Sequence, residues 1–321
     1  MVYPKGEFKK VKKISIMVPC YNEEENVVPM SEALVSELTK LEKYDYEIVF
    51  IDNCSLDSTR EKLRDICSKN KKIKAIFNSK NFGQFNSPYY GLCQTTGDCT
   101  ISVCCDFQDP VEMIPKFIEE WEKGYKIVCA VKTSSKESKI MYALRSIYYK
   151  TIRKLSKVEQ IEHFTGFGLY DKSFIEVLRN LGDPTPFIRG IVAELGPKIK
   201  KIEYEQAKRR AGKTSNNFAS LYDAAMLSFT SYTKFGVRAA SFLGMGMCGG
   251  SVLGAIVCLV LKLINPAYFF TTGTAAIILT TFFVGGLVLF FLGFLGEYIM
   301  SMNARIMNRP LVIEEERINF D

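Results

Sequence analysis

The sequence is poor in several features that would indicate particular classes of protein. It has one tryptophan and one histidine in 321 residues, and none of its ten cysteines forms a Cys-x-x-Cys pair. The absence of that spacing excludes the common zinc-site patterns. The lysine-rich segment Met1–Lys13 contains no apolar run. We therefore expect no cleavable signal peptide, and we expect reduced thiols in a cytoplasmic domain.

Charged residues are almost missing from one long segment. From Ala239 to Gly296 the only charged side chain is Lys262, although charged residues make up 24% of the chain. A short turn at Asn265-Pro266 divides this segment into two uncharged runs, each long enough to cross a bilayer. Two core helices of a soluble protein are the alternative. We predict a transmembrane helical hairpin over residues 239–300, with spans at about 239–263 and 268–296.

Basic residues flank the open ends of this predicted hairpin: Lys234, Arg238, Arg305 and Arg309. The positive-inside rule therefore places both termini, including the tail 301–321, in the cytoplasm. Residues 216–238, just before the hairpin, have apolar side chains at helical spacing, which predicts an amphipathic interfacial helix. A helix packed on the preceding domain is the alternative. A two-helix anchor often gains burial by self-association, so the sequence allows a homo-oligomer without fixing the oligomeric state.

The net charge of the chain is +7, and the basic surplus lies before the apolar segment. A basic domain beside a bilayer favours anionic partners such as lipid headgroups, phosphates or nucleotides. A solvated basic surface with no partner is the alternative. Nucleic acid is not expected, because the lysines are scattered and no recognition motif accompanies them.

Short apolar runs alternate with longer helical patterns through the first 130 residues. The runs are rich in Ile and Val, as in strands that are buried on both faces of a mostly parallel sheet. This alternation predicts an α/β fold with right-handed crossovers, in a domain of residues 1–215. The predicted strands are Ile14–Val18, Glu47–Asp52, Ile73–Phe77, Cys99–Cys105 and Ile127–Val131. The predicted helices are Glu24–Leu41, Ser58–Lys69, Asn86–Thr95, Val111–Lys123 and Lys139–Lys157.

Polar clusters follow four of the predicted strands at their carboxyl ends, where ligands bind in such sheets. The clusters are Pro19–Glu24, Asp52–Thr59, Lys80–Gly83 and Asp106–Pro110. The last contains an acid-x-amide-acid run, which suits a hard divalent cation bound through oxygen ligands and substrate phosphates. Each cluster alone is also typical of helix caps and turns. Their occurrence at successive strand ends predicts one shared ligand site.

The order of these motifs resembles family 2 glycosyltransferases of the GT-A fold. The chain has Pro-x-Tyr-Asn-Glu at 19–23, Asp-Asn-x-Ser-x-Asp-x-Thr at 52–59, Lys-Asn-x-Gly at 80–83 and Asp-x-Gln-Asp-Pro-x-Glu at 106–112. Within that family it looks like the polyprenyl-phosphate glycosyltransferases. The likeness continues in Arg189-Gly190, in Arg209-x-x-Gly212-x-Thr214, in the two-span hairpin and in Arg309-Pro310-Leu311.

The resemblance implies roles for individual residues. The nucleotide of a sugar donor would be held by Pro19, Tyr21, Asn22, Glu23, Asp52, Asn53 and Lys80. Asp106 and Gln108 would bind Mg²⁺ or Mn²⁺ and, through it, the donor diphosphate. Asp106 and Arg209 would be the catalytic residues. The acceptor phosphate would be contacted by Arg189, Arg209 and Lys213.

The implied reaction is inverting transfer of a single sugar from a nucleotide sugar to the phosphate of a membrane polyprenol. We expect UDP-glucose as the donor and undecaprenyl phosphate, in a bacterial cytoplasmic membrane, as the acceptor. The product would donate its sugar to cell-envelope glycans. Because the second pKa of a phosphate monoester is about 6, the acceptor is largely ionised at neutral pH. It therefore needs positioning more than a general base.

Four positions depart from the family pattern, and one of them is Gln206, where many relatives have an additional arginine. Cys104 stands where relatives have the first Asp of Asp-x-Asp, and a thiol is a poor ligand for Mg²⁺. Gly166 and Gly168 stand where bacterial relatives often have an acid and an arginine. We expect retained activity, because Asp106 and Gln108 are present. The alternative is a catalytically silent membrane scaffold that binds nucleotide sugar or lipid. A transporter is not expected, because two spans without intramembrane charge provide no substrate path.

Overall fold

The computed structural model describes residues 11–134, 161–184, 186–211, 273–307 and 309–320, together with scattered single residues between 226 and 264. The predicted helix Lys139–Lys157 and the predicted phosphate contact Lys213 lie outside these residues. The predicted amphipathic helix 216–238 does so as well, apart from Met226. The first predicted span is described only at scattered positions.

The described residues contain eight strands, which form one sheet in the order β7-β5-β6-β4-β1-β2-β3-β8. Their bounds are Lys13–Cys20 (β1), Asp45–Asp52 (β2), Ile73–Asn78 (β3), Cys99–Ser102 (β4), Ile127–Ser134 (β5), Phe164–Asp171 (β6), Ile199–Glu205 (β7) and Glu314–Ile318 (β8). β1 pairs in parallel with both β2 and β4, and β2 pairs in parallel with β3. β6 runs antiparallel between β4 and β5, while β7 joins β5 in parallel. The predicted α/β fold with a mostly parallel sheet is confirmed.

Helices cover both faces of this sheet. Their bounds are Val27–Thr39 (α1), Thr59–Lys69 (α2), Gly83–Gln94 (α3), Ile114–Glu122 (α4), Lys172–Leu181 (α5) and Ile188–Leu195 (α6). One core lies under α1, α2 and α4 and includes Leu34, and the other lies under α3, α5 and α6 and includes Leu92. Neighbouring residues of β1 belong to opposite cores, Ile16 to the first and Met17 to the second. Burial on both faces explains why the strand is apolar throughout.

The sheet differs from the sequence prediction at several strands. β6, β7 and β8 are absent from the prediction, and β4 ends at Ser102, three residues before the predicted end at Cys105. β8 runs antiparallel to β3 and comes from the segment predicted as a C-terminal tail. Its sequence, Glu-Glu-Glu-Arg-Ile, is highly charged, which is common for an edge strand. The local composition of this segment therefore does not predict a strand. Pairing with β3 is what makes this segment a strand.

A last helix, α7, spans Gly273–Met307 and has 35 residues. Its window Phe283–Met300 has a mean hydropathy of 1.9 and is long and apolar enough to cross a membrane. It is the one helix of this kind in the described part of the chain. The second predicted span, 268–296, therefore overlaps α7, which is described from Gly273 onward and continues to Met307. The pairing of two spans in a hairpin is not established by the described residues.

Candidate active site

A cavity of about 810 Å³ opens where β1 and β4 end. The carboxyl ends of parallel neighbours meet at one edge of a sheet, so the loops that follow them converge there. Eight of the residues predicted for the site line this cavity: Pro19, Tyr21, Asn22, Glu23, Asn53, Asp106, Arg189 and Arg209. Three predicted residues, Asp52, Lys80 and Gln108, are not part of its wall.

Arg209 connects two carboxylates of the cavity wall. Its Nη2 donates to Oε1 of Glu23, and its Nη1 lies 3.9 Å from Oδ2 of Asp106. Glu23 follows β1, Asp106 follows β4 and Arg209 follows β7. Three separate segments of the chain therefore supply one charged cluster, which lies on the wall of a cavity large enough for a ligand.

The carboxylate of Glu23 is buried and hydrogen-bonded within this cluster. Only 8% of the residue is exposed, and its Oε2 accepts a hydrogen bond from Nδ2 of Asn26 at 2.6 Å. Burial raises the pKa of Glu23, and the charge of nearby Asp106 raises it further. The hydrogen bond from Asn26 and the charge of Arg209 act in the opposite direction. The charge of Arg209 therefore offsets part of the cost of burying the Glu23 carboxylate.

The turn that carries Asp106 folds onto the segment after β7. Oδ1 of Asp106 accepts from the backbone N–H of Gln108 at 3.1 Å, and Phe107 between them has a left-handed φ of 61°. The carbonyl oxygen of Asp106 accepts from the backbone N–H of Arg210 at 3.1 Å. Of the two predicted metal ligands, Asp106 lines the cavity and Gln108 does not.

Asp109 is a residue of the site that the sequence reasoning did not assign. It is 2% exposed and lines the cavity. Its Oδ2 accepts from the backbone N–H of Cys104 at 3.1 Å, and its Oδ1 accepts from the hydroxyl of Tyr204 at 3.1 Å. Burial raises the pKa of Asp109 against these hydrogen bonds. Its position in the fourth polar cluster, directly before Pro110, was the available signal. Through these hydrogen bonds, Asp109 connects the turn that carries Asp106 to β7.

The two asparagines predicted to bind the nucleotide are tied to neighbouring loops. Oδ1 of Asn22 accepts from the N–H of Leu56 at 2.8 Å, and Asn22 itself has a left-handed φ of 54°. Oδ1 of Asn53 accepts from the N–H of Phe82 at 2.9 Å, while its Nδ2 donates to Oδ1 of Asn81 at 2.8 Å. Both asparagines line the cavity, and their side-chain amides stabilise the shape of its wall.

Asp52 and Lys80 lie away from the cavity wall. Asp52 has no exposed surface, accepts from the N–H of Ser55, and pairs with Nε of Arg60 at 3.1 Å. Burial raises the pKa of Asp52, against the hydrogen bonds from Ser55 and the charge of Arg60. Lys80 is exposed, with its Nζ 5.1 Å from the ring centre of Phe82. Asp52 therefore stands behind the wall instead of on it.

A divalent cation fits this site through Asp106. In the described ranges, no three His, Cys, Asp or Glu side chains are grouped so that they could hold a metal ion. Cys104 lines the cavity, but desolvation, and then the charges of Asp109 and Asp106, raise the pKa of its thiol well above the usual value. A protonated thiol is a poor ligand for Mg²⁺. Mg²⁺ is often bound by one or two carboxylates together with substrate phosphates. Asp106 could supply such a carboxylate, and a bound diphosphate could supply the phosphate oxygens.

Gly166 and Gly168 differ in the space that a side chain would have at each position. A Cβ atom at Gly168 would lie 2.2 Å from the carbonyl oxygen of Val128 in β5, so the close approach of the strands allows only glycine there. Gly166 has a φ of 106° and lines the cavity. A Cβ there would meet Cγ2 of Ile188 at 3.7 Å. This backbone therefore excludes an arginine at position 168.

The fold and the cavity define an α/β protein whose ligand site lies at the carboxyl ends of its strands and contains acidic side chains. Residues 15–178 match the family model described as glycosyl transferase family 2. The chain belongs to that family and is a glycosyltransferase, as its motifs indicate.

The similarity to individual relatives extends over almost the whole chain. The SfII prophage-derived bactoprenol glucosyl transferase of Shigella flexneri is 30% identical over 304 residues, which cover 94% of this chain and 97% of that protein. The prophage bactoprenol glucosyl transferase homolog of Escherichia coli is 30% identical over 303 residues, covering 94% and 98%. Among solved structures, glucosyl-3-phosphoglycerate synthase from Mycobacterium tuberculosis superposes with a TM-score of 0.47 at 16% identity, over 68% of this chain and 78% of that one.

Proposed function

We propose that the chain transfers one glucose from UDP-glucose to the phosphate of a membrane polyprenol such as undecaprenyl phosphate. The observation that carries this proposal is similarity, over nearly the full length, to proteins named bactoprenol glucosyl transferase. The cluster of Glu23, Asp106 and Arg209 in one cavity supports it. The product would be a polyprenyl-phosphate sugar that serves cell-envelope glycan modification.

The donor would bind along the loops after β1, β2 and β4. Asp106 would hold Mg²⁺ or Mn²⁺ together with the donor diphosphate, and the cation would neutralise the charge that develops on the leaving group. Arg209 would contact the same phosphates, since its guanidinium lies 3.9 Å from Asp106. Tyr21 and Asn53, on the wall formed by the first two loops, would hold the base and ribose.

The acceptor phosphate would be positioned by Arg189 and Arg209, with Lys213 as a third contact. The guanidinium of Arg189 lies 4.7 Å from the ring centre of Phe187, and that ring packs edge-on against Phe85 at 5.7 Å. A cation beside an apolar rim suits a phosphate that carries a hydrocarbon chain. Because the phosphate is ionised at neutral pH, the transfer depends on its placement and not on removal of a proton.

The apolar helix α7 would keep the enzyme in the membrane that contains its acceptor. β8 follows α7 in sequence and pairs with β3, which precedes it. If α7 crosses the membrane, its C-terminal end would lie on the same side as the sheet, and this supports an even number of crossings. We assign a catalytic domain at 1–215, an amphipathic helix at 216–238, spans at about 239–263 and 268–296 within a hairpin of 239–300, and a C-terminal segment at 301–321. The domain and both termini would face the bacterial cytoplasm, and the anchor would self-associate.

The test is a transfer assay with the purified full-length protein in detergent, radiolabelled nucleotide sugars, undecaprenyl phosphate and Mn²⁺. Label from UDP-glucose should appear in the lipid fraction. Asp106→Ala should lose this transfer, whereas Asp65→Ala, at an exposed carboxylate on α2, should retain it. Absence of transfer from every donor in the panel would reject the proposed reaction.

The second candidate function is a catalytically silent scaffold that binds nucleotide sugar or lipid. Cys104 and Gly166, which lie on the cavity wall where related sequences have acids, favour it. Calorimetry decides between the two, because donor binding without turnover would support the scaffold and measurable turnover would exclude it.

A further inference from the structure

Arg60 on α2 contacts three separate parts of the molecule. Its Nε lies 3.1 Å from Oδ2 of Asp52, at the end of β2. Its Nη2 donates to Oε2 of Glu315 at 2.8 Å and to the carbonyl oxygen of Asn78 at 3.3 Å. The side chain of Asp52 is fully buried, and that of Arg60 is 19% exposed. Arg60 is therefore the counterion of a buried carboxylate, and Glu315 pairs with its outer edge.

Glu315 reaches α2 because β8 contains a bulge. Glu316 pairs with Phe77 and Glu314 pairs with Asn78, which leaves Glu315 as an extra residue between them. Successive side chains of a strand normally point to opposite faces of the sheet. Glu315 and Glu316 nevertheless both form ion pairs with α2. A bulge re-aims a side chain in this way.

The loop held by Asp52 forms part of the cavity wall. The carboxylate of Asp52 accepts from the N–H of Ser55 at 3.2 Å, and Oγ of Ser55 accepts from the N–H of Asn22 at 2.8 Å. Asn22 and Asn53, the residue after Asp52, both line the cavity. Asn78, which accepts from Arg60, donates to Oδ1 of Asn53 at 3.2 Å. Arg60 therefore acts on this wall through two connected routes.

We propose that Arg60 is a positioning residue for the nucleotide-binding loop and that Glu315 sets its orientation. This inference rests on the proposed function, in which the loop after β2 binds the donor nucleotide. Glu315 lies in the strand that follows the apolar helix, eight residues after Met307. The C-terminal strand thus contributes to the affinity for nucleotide without contacting it.

A second ion pair beside the first provides a matched control. Arg64, one turn later on α2, pairs with Oε2 of Glu316 through its Nη2 at 2.6 Å. The guanidinium groups of Arg60 and Arg64 lie 5.2 and 4.9 Å from the ring centre of Phe77. Both pairs join the same helix to the same strand, but among the described contacts only the pair of Arg60 with Glu315 extends to Asp52.

The experiment measures the dissociation constant of UDP with Mn²⁺ by calorimetry, and the melting temperature, for the full-length protein and five variants. Arg60→Met should weaken UDP binding about tenfold, and Glu315→Gln about threefold. In both variants the loop after β2, which forms part of the cavity wall, loses contacts that position it. Arg64→Met and Glu316→Gln should leave the dissociation constant within about twofold of wild type. The melting temperatures of the two arginine variants should fall by similar amounts. Glu315→Gln, at an exposed position, keeps the test usable if Arg60→Met does not fold.

Equal weakening of UDP binding in both pairs would show that they act through stability alone, and would overturn the proposal. Asp52→Asn separates this result from the proposed function. If Asp52→Asn weakens UDP binding while Arg60→Met and Glu315→Gln do not, the positioning role is wrong and the donor site stands. If the wild-type protein binds no UDP, the proposed function itself fails, and this inference fails with it.

Discussion

Arg209 donates a hydrogen bond to Glu23, which lies 186 residues earlier in the chain. The same guanidinium approaches Asp106, so one cation serves two carboxylates of the cavity. Any phosphate or divalent cation that enters the cavity changes this balance, because it competes either for Arg209 or for its carboxylate partners. The charged cluster is therefore the first place to test the proposed chemistry.

Substitution of Arg209 should remove most of the transferase activity. We expect Arg209→Ala to lower kcat/KM about 100-fold or more, because a preorganised positive group beside the reacting phosphates is lost. Arg209→Lys should recover part of the activity, since the charge remains but the two-pronged geometry does not. Arg210→Ala is the control, because the Arg210 side chain stacks on Phe107 and only its backbone contacts Asp106. Equal losses in the Arg209 and Arg210 variants would contradict this role.

Removal of the Asp109 carboxylate should loosen the Asp106 turn. Asp109→Ala leaves the N–H of Cys104 and the hydroxyl of Tyr204 without their acceptor, so we expect a loss of about 1–3 kcal/mol in the free energy of unfolding. The Mn²⁺ concentration for half-maximal activity should rise as well. Tyr204→Phe removes one of the two contacts and should give a smaller effect in both denaturant unfolding and Mn²⁺ titration. An unchanged Mn²⁺ requirement in Asp109→Ala would argue against a positioning role.

Replacement of Cys104 by an acid should make stability depend on metal. Desolvation and the neighbouring carboxylates of Asp109 and Asp106 oppose a negative charge at this position, and all of these raise the pKa of the Cys104 thiol. Cys104→Asp should therefore melt at a lower temperature than wild type in chelator, and Mn²⁺ should raise its melting temperature more than that of wild type. Cys104→Asn, which is similar in shape but neutral, is the control. The idea is wrong if both variants respond equally to Mn²⁺.

Glu47 should make folding stability depend on acid pH. It is 1% exposed and bonds Lys13 and Ser15. Burial by itself raises the pKa of Glu47, but the hydrogen bonds outweigh burial and lower the pKa from 4.5 to about 2. A carboxyl group with a lowered folded-state pKa contributes stability above its unfolded pKa, and that contribution disappears as the pH falls through the folded pKa.

The expected size of this effect follows from the shift. Between pH 6 and pH 2 the wild type should lose roughly 3 kcal/mol more than Glu47→Gln, since each pKa unit corresponds to about 1.4 kcal/mol. Denaturant unfolding in detergent at a series of pH values measures this difference. Parallel stability curves for the two proteins would show that Glu47 does not titrate as described.

The sequence identified the loops that form the site more accurately than the position of each residue within it. Asp52 follows its strand as predicted, yet the sheet buries it behind the wall, where Arg60 neutralises it. Asp109 stands in a predicted cluster, but its connection to Tyr204 depends on β7, which has a charged, alternating sequence without a clear strand signal. Gln108 has the right chemistry for a metal ligand, but it is not among the residues that line the cavity.

The sequence by itself determined the alternation of buried strands and helices and the four polar clusters at strand ends, because hydrophobic periodicity and turn residues are local properties. It also determined the apolar segment that contains the larger part of α7. Only the tertiary structure decided that Arg209 joins Glu23 to Asp106, and that Glu315 of a charged edge strand reaches Arg60. These contacts connect residues far apart in the chain, and their partners are set by strand order and by a bulge, neither of which leaves a periodic pattern in the sequence.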